Sequence, residues 1–489
     1  MPNTTKLYFK PTIAAIYDVL QMENCSVSGI KGIPATNRIT FSPGRIDLLF
    51  EANCREISPS VILENLPALT LETEKATYEV PRYHAYFDGQ IRMDAVKPQQ
   101  FDLRLNQLTQ ATIDRENRHY WRFLFPVENN EWFLKIQALN YKDDFGSTHF
   151  RNMIVAELGG HKLNVFSSKV DGINWMVIDS VEPVTYAEMD HCVLSLTIAL
   201  GLVLGKRYGD YCFHVQSDLV SFARVDGVEA IALQETKRCS FQILNSDVRI
   251  VEKWLQQYEC QQYALDDLRR QKEGNVTWFY NDESTVTSNA FNKLAQLCYG
   301  SNDLMLAASM LIDGSMLNIE YQKPFFLVAL ETITSSLMKN EDLALPPTMP
   351  KDRFENDVVP VLVDALNGIP GLPEDARRVF SQRITHNLNT APNANKLEAC
   401  FPKFGYNLTD ADRSAIKNRN KTFHGTLSNE ERSLGAQQNE MLSINLRLHK
   451  LCSILLLKAA GFSGQVLNNE VLFGIKDACE RKEPVFIEI

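Results

Sequence analysis

A capped, strongly basic helix is predicted by residues 408–425, LTDADRSAIKNRNKTFHG, the stretch that decides the architecture of the last third of the chain. Thr409 and Asp412 match a capping box at its start, and Gly425 is typical of a helix stop. After Asp412 the stretch contains only positive charges, at Arg413, Lys417, Arg419 and Lys421. A helix C-terminus favours cations, so an ordinary solvated helix end is one interpretation. His424 beside the stop glycine is less ordinary, because its position suits it to proton transfer near neutral pH.

Helical periodicity extends through the last third of the chain. Apolar residues recur three and four positions apart in seven segments predicted to be helices, at 285–299, 303–312, 324–338, 354–366, 374–387, 410–423 and 437–460. In the last segment Met441, Ile444 and Leu448 lie on one face. The pattern therefore predicts an all-α bundle at 284–489.

The first part of the chain alternates with a period of two, which is typical of β-strands. Turns are predicted at Asn129-Asn130 and at Gly159-Gly160. The predicted strands around these turns are 120–127, 132–139, 162–166 and 173–178. The first two flank the asparagine turn and are expected to pair as a hairpin. We interpret residues 1–183 as an antiparallel β domain of the sandwich type.

The middle of the chain, at 184–283, mixes both patterns. The elements predicted there are a buried helix at 186–205, strands at 211–215 and 228–234, and an amphipathic helix at 247–262. At about 150 residues per domain, a chain of 489 residues suggests about three domains. The predicted fold is therefore multidomain α+β: a β domain at 1–183, a mixed α/β segment at 184–283 and a helical bundle at 284–489.

Charge and hydropathy limit the kinds of partner. The chain has 50 Lys and Arg against 60 Asp and Glu, a net charge of −10. Coating of nucleic acid through bulk positive charge is therefore excluded, whereas a local basic site is not. The longest apolar run, at 192–205, is about 14 residues long, short of the roughly 18–20 that span a bilayer. We predict a buried helix there and no membrane partner.

The cysteines and the start of the chain predict a cytoplasmic location. The first residues lead into no apolar signal core. The ten cysteines contain no CxxC pair. In a reducing cytosol they are expected to be free, buried thiols.

The common metal and cofactor motifs are missing from the sequence. It contains no HExxH, no paired CxxC and no cluster of histidines, so no metal site and no cofactor are predicted. Residues 201–207 faintly resemble a phosphate loop, but they end a predicted helix, where the backbone amides point the wrong way. Asp410 and Asp412 suggest a metal pair, but a capped helix start explains them better.

One short motif carries a family resemblance. Residues 419–424, RNKTFH, resemble the Arg-x4–6-His motif of the HEPN superfamily, including the Asn directly after the Arg. With Gly425 after it, the C-terminal placement and the β-rich region upstream, the chain is most similar to the ApeA branch of anti-phage HEPN proteins. The resemblance covers 284–489 as a helical pattern, and only the six-residue motif is specific. Arg207 and His214 have a permitted spacing as well, but without the Asn.

The resemblance implies a metal-independent endoribonuclease that leaves a 2′,3′-cyclic phosphate and a 5′-hydroxyl. Attack of the ribose 2′-hydroxyl on the phosphate needs proton transfer and a cation that stabilises the phosphorane. His424 would transfer protons, Arg419 would hold the phosphate with its planar guanidinium, and Asn420 would orient either group. Glu331 is a candidate neighbour of the site. The candidate substrate-binding residues are Arg413, Lys417 and Lys421. Each polar residue also has an ordinary interpretation, as a capping or packing amide or as a solvated charge.

The resemblance also implies partners. One chain supplies one motif histidine, whereas the reaction needs an acid and a base. HEPN proteins meet this need by pairing two bundles, so a homodimer through the C-terminal helical domain is expected. Further expectations are transfer RNA as the substrate, a role in anti-phage defence by abortive infection, and a phage-derived trigger. His386 and His449 lack an Arg at motif spacing and are predicted to be structural.

A second function remains open from the sequence. The chain is then a non-catalytic binding protein, in which the β domain recognises a ligand and the HEPN bundle serves for dimerisation or nucleotide binding. The two hypotheses differ in whether Arg419 and His424 converge in a basic cleft shared by two chains.

Overall fold

The computed structural model describes residues 5–30, 32–52, 68–88, 98–128, 135–144, 146–272, 282–340, 348–389, 393–417 and 434–489. A region rich in antiparallel sheet comes first, and a helical region follows. The predicted multidomain α+β layout is confirmed at this level.

The chain divides into two compact units. The first unit comprises Met1–Met316 and Ala460–Glu488, and the second comprises Leu317–Ala459 with Ile489. This division differs from the predicted boundary at 283/284. The helices Ser288–Gly300 and Asn302–Gly314 group with the first unit because both pack on the helix Tyr186–Leu204.

Two main sheets build the first unit. The described strands are Thr5–Leu7 (β1), Ser26–Ser28 (β2), Asn37–Ser42 (β3), Arg45–Ala52 (β4), Leu69–Glu72 (β5), Thr77–Val80 (β6), Ala85–Asp88 (β7), Gln99–Leu105 (β8), Gln107–Gln110 (β9), Tyr120–Val127 (β10), Leu139–Asp143 (β11), Thr148–Leu158 (β12), His161–Val170 (β13), Ile173–Ser180 (β14), Lys206–Arg207 (β15), Tyr211–Ser217 (β16), Gly227–Ala232 (β17), Lys237–Arg238 (β18), Gln465–Leu467 (β19) and Phe486–Glu488 (β20). A 12-stranded sheet has the order β1-β11-β12-β13-β14-β10-β16-β17-β9-β6-β5-β2, and a four-stranded sheet has the order β3-β4-β8-β7. One hydrophobic core contains residues of both sheets.

The predicted turn at Gly159-Gly160 is confirmed. Both glycines have positive φ, and they connect β12 to β13 as an antiparallel pair. The other predicted hairpin, of 120–127 with 132–139, is not seen among the described residues of its second segment. Strand β10 pairs with β14 over 122–127 and with β16 over 120–124, whereas Ile136 pairs with Val286 and Leu139 pairs with Met153. Residues 129–134 lie outside the described part of the chain. The turn signal was local, whereas the choice of neighbour for β10 depended on strands more than 40 residues away.

The predicted buried helix at 186–205 is confirmed as Tyr186–Leu204, called the core helix below. Thr185 and Glu188 form a capping box at its start, and Gly205 ends it in the left-handed conformation. The 201–207 stretch thus ends a helix, as predicted. Within the described part of the chain, this is the one helix long and apolar enough to cross a bilayer. Of the most apolar 18-residue stretch of this helix, 61% is buried inside the protein, as is typical of a core helix.

The remaining helices of the first unit lie around the sheets. They are Lys10–Leu20, Val248–Leu255, Gln262–Lys272, Ser288–Gly300, Asn302–Gly314, Asn469–Leu472 and Lys476–Glu480, with 3₁₀ turns at Glu259–Gln261 and Asp282–Ser284. The predicted helix at 247–262 is therefore interrupted after Leu255. Nine cysteines fall within the described residues, and all nine are free thiols. Cys260 is exposed, unlike the other eight, because it lies on one of the short surface 3₁₀ turns.

The second unit is helical. Its helices are Ile319–Asn340, Lys351–Arg353, Val359–Asn367, Glu374–Asn387, Asn393–Lys403, Asp410–Lys417 and Leu434–Ala459, with a π-helical turn at Phe354–Val358. Ile319–Asn340 packs on Leu434–Ala459, and together they supply most of the buried apolar side chains of the unit. The sequence analysis missed Asn393–Lys403, which carries Pro402 near its end, where a proline is a poor helix signal.

Candidate functional site

The residues predicted to perform catalysis lie outside the described residues. This applies to Arg419, Asn420 and His424, and also to the predicted phosphate ligand Lys421. Their geometry therefore stays a prediction. The structure describes the two helices that flank this segment in the chain, Asp410–Lys417 and Leu434–Ala459, called the motif helix and the long helix below.

The start of the motif helix is capped as predicted. The backbone N–H of Asp412 donates to Thr409 Oγ1 at 3.2 Å, and the backbone N–H of Thr409 donates to Asp412 Oδ2 at 3.0 Å. The Thr409 hydroxyl also donates to Asp412 Oδ2 at 2.7 Å. This carboxylate is engaged in capping, which agrees with a helix start at Asp410 and Asp412 better than with a metal pair.

A buried ion-pair cluster ties the motif helix to the long helix. Asp412 Oδ1 lies 3.0 Å from Arg447 Nη1 and 3.5 Å from Lys450 Nζ. All three side chains are buried. Burial alone would raise the pKa of Asp412, but the charge of Lys450, the hydrogen bonds from Thr409 and the charge of Arg447 outweigh it and lower the pKa. The sequence analysis missed Arg447 and Lys450. The sequence pattern that could have indicated them is a pair of cations three residues apart on an otherwise apolar face of the helix.

Two of the predicted substrate-binding cations are described. Arg413 Nη1 lies 3.1 Å from Glu398 Oε2, so this guanidinium is partly neutralised by the neighbouring helix Asn393–Lys403. Lys417 ends the motif helix one turn later and is exposed. Residues four apart share a helix face, so Arg413 and Lys417 present positive charge on the same side. Of the two, Lys417 is the more available to a phosphate.

Two further residues of the second unit were considered from sequence. His449 lies on the long helix and is fully buried, and burial lowers its pKa to about 4. Its ring contacts Phe326 edge-on at 5.4 Å between centroids. A neutral ring packed in this way is consistent with the predicted structural role. Glu331 is half-buried on Ile319–Asn340, and its relation to the motif stays a prediction because the motif lies outside the described residues.

The first unit contains a buried polar cluster that the sequence analysis did not single out. His214 Nδ1 lies 3.1 Å from Glu229 Oε2 and 3.1 Å from the Tyr186 hydroxyl. The ring of Phe123 stacks on the His214 ring at 3.6 Å between centroids. Arg115 forms an ion pair with Glu229, and its guanidinium lies 4.5 Å from the centre of the Tyr186 ring. The cluster lies where β10, β16 and β17 face the start of the core helix.

Glu229 is the centre of this cluster. Gln107 and Thr109 each donate to Glu229 Oε1 at 2.6 Å, in addition to the contacts of Arg115 and His214. Burial would raise the pKa of Glu229, but hydrogen bonds from His214 and Thr109 and the charge of Arg115 lower it to about 2. The available signal in the sequence was one acid within the apolar run of β17.

Arg207 and His214, noted above for their spacing, line the same cavity in the first unit. Arg207 forms an ion pair with Asp313 there. Both side chains reach this cavity because a turn connects β15 to β16. Unlike Arg419 in the motif at 419–424, Arg207 is not followed by an Asn.

The described residues contain no group of three His, Cys, Asp or Glu side chains placed to hold a metal ion. Comparisons with models of protein families, with curated proteins and with solved structures found no match.

Proposed function

We propose that the chain is a metal-independent endoribonuclease of the HEPN type. The observation that carries the proposal is the motif RNKTFH at 419–424, which follows a capped helix inside a helical unit. The buried cluster of Asp412, Arg447 and Lys450 supports it, because it anchors the helix from which the motif continues. The helix that precedes the motif in the chain is thereby held in place, and a catalytic site needs supporting elements that are held in this way.

The chemistry assigns one task to each motif residue. His424 takes the proton of the ribose 2′-hydroxyl or gives a proton to the leaving 5′-oxygen. Arg419 holds the phosphate in a bidentate contact and stabilises the charge of the phosphorane. Asn420 orients His424 or the phosphate, and Lys417 attracts the flanking phosphates.

The assembly and role are part of the same proposal. Two chains pair through the second unit, so that one His424 acts as the base and the other as the acid. The substrate is RNA, with transfer RNA as the first candidate. The protein acts in the cytoplasm in anti-phage defence by abortive infection, and a phage-derived trigger sets it in action. These points rest on the family resemblance of the motif.

The test is incubation of the purified full chain with total RNA and with transfer RNA in the presence of a chelator. We expect cleavage products that carry a 5′-hydroxyl, which polynucleotide kinase labels directly. His424→Ala should abolish cleavage. His386→Ala is the matched control, because His386 is an exposed histidine on another helix of the same unit.

Two results would count against this function. Intact RNA after incubation with the wild-type protein, with and without extracts of phage-infected cells, would favour the non-catalytic binding protein. Cleavage that survives in His424→Ala would assign the activity to other residues or to a contaminant.

A further inference from the structure

A cavity of about 530 Å³ lies inside the first unit. On one side are β10, β16 and β17, and on the other are the core helix and the helix Asn302–Gly314. Its volume falls within the range of small-molecule sites in proteins, roughly 300–1,000 Å³. It belongs to the first unit alone, so the inference drawn from it does not depend on the ribonuclease proposal.

The long walls of the cavity are apolar. Phe123 and Phe125 of β10 form part of the sheet side, and Val193 and Ile198 form part of the helix side. Two facing apolar walls, one of them aromatic, suit a flat ring better than a bulky or fully hydrated molecule.

One side chain supplies an oriented polar contact. His214 is 4% exposed and lines the cavity, and its Nδ1 faces Glu229. An ionised carboxylate can only accept, so Nδ1 carries the proton in this contact. Arg115 already balances the charge of Glu229, so the His214 ring needs no second proton and Nε2 keeps a lone pair. No hydrogen bond joins Nε2 to a described residue. A ligand that donates an O–H or N–H group would satisfy this nitrogen.

The charges that line the cavity cancel. Lys206 and Arg207 are positive, Asp190 and Asp313 are negative, and Arg207 is paired with Asp313. An anionic ligand would have to take Arg207 from Asp313 or lie near Asp190 in a mostly apolar space, and either is costly. The lining therefore favours an uncharged ligand over an anion.

We propose that this cavity binds an uncharged, planar aromatic molecule that carries a ring N–H or a hydroxyl group. The ring lies between Phe125 and the core helix, and the donor group binds Nε2 of His214. Leu194 lines the cavity and is 44% exposed, so the ligand enters beside it.

The probes for the test are three indoles and adenine, added to the full-length protein and followed by calorimetry and by thermal unfolding. Indole and adenine are uncharged and carry a ring N–H. 1-Methylindole lacks the donor, and indole-3-acetate adds a negative charge. We expect indole or adenine to bind and raise the unfolding temperature. 1-Methylindole, which lacks the donor, and indole-3-acetate, which carries the charge, should each bind about tenfold or more weakly than indole.

Two tryptophan variants locate the binding site. Leu194→Trp places a large ring at the opening and should weaken binding by about tenfold or more, because it obstructs entry. Leu219→Trp is the matched control, since Leu219 is also 44% exposed but does not line the cavity. This variant should bind as the wild type does, and its unfolding temperature checks that the added ring is tolerated.

Three results would overturn the proposal. The first is no binding of either indole or adenine at millimolar concentration. The second is equal binding of 1-methylindole or indole-3-acetate, which would contradict the proposed ligand chemistry. The third is unchanged binding in a folded Leu194→Trp protein, which would place the ligand elsewhere.

Discussion

Asp412 and Arg447 form a buried ion pair in the second unit, with 3.0 Å between Oδ1 and Nη1. The pair joins the first turn of the motif helix to the middle of the long helix. The segment 418–433, which contains the motif, lies in the chain between these two helices. The pair therefore holds together the two helices between which the proposed catalytic residues lie in the chain.

Removal of the charge at Asp412 should strongly destabilise the second unit. Asp412→Asn leaves Arg447 and Lys450 buried without their shared carboxylate. Breaking a buried pair in this way costs about 3–5 kcal/mol. Urea unfolding followed by circular dichroism measures the loss. Asp410→Asn is the control, because Asp410 lies in the same first turn but is exposed, and it should change stability by less than about 0.5 kcal/mol. Equal effects of the two variants would contradict a stabilising role for the pair.

His449 should make the stability of the protein depend on pH. Burial lowers its pKa to about 4, whereas an unfolded histidine titrates near 6.5. Between these values the unfolded state binds more protons, so stability falls as pH drops from about 6.5 towards 4. The full loss is on the order of 3 kcal/mol. Urea unfolding of the wild type and of His449→Gln over this pH window should show a smaller loss in the variant.

The matched control for this pH dependence is His386→Gln. His386 is exposed, so its replacement should leave the pH dependence of the wild type unchanged. A wild-type stability that stays constant across the window would contradict the burial of a neutral His449 ring.

The geometry of the guanidinium at Arg419 should matter more than its charge. In Arg419→Lys a point charge replaces a planar fork, so cleavage of RNA should fall by roughly 100-fold or more. Arg413→Lys keeps a charge for a flanking phosphate and should change the rate only a few-fold. Rates of RNA cleavage in chelator compare the two variants. Full activity in Arg419→Lys would exclude the proposed bidentate phosphate contact.

Inactive chains should suppress active ones if two chains share one site. When wild-type protein is mixed with an excess of His424→Ala protein and allowed to exchange subunits, mixed dimers should form. These dimers lack either the acid or the base. The cleavage rate should then fall below the value for simple dilution, as measured at constant wild-type concentration. An active monomer, shown by light scattering at the assay concentration, would defeat this expectation.

Local signals in the sequence predicted individual elements well. The helix at 374–387 has the predicted bounds, and the core helix begins after Thr185 and ends before Gly205 as expected. The turn at Gly159-Gly160 was also predictable. Capping residues, stop glycines and apolar periodicity act within a few residues, so they can be read from the chain alone.

The sequence by itself also supplied the motif at 419–424 and, with it, the functional hypothesis. It did not supply the neighbours of β10, the partners of Asp412 on the long helix or the cluster around Glu229. Each of these depends on residues that lie far apart in the chain, such as Asp412 with Arg447 or Thr109 with Glu229. Only the folded chain brings such groups together, because burial makes a charged side chain require a partner wherever in the sequence that partner lies.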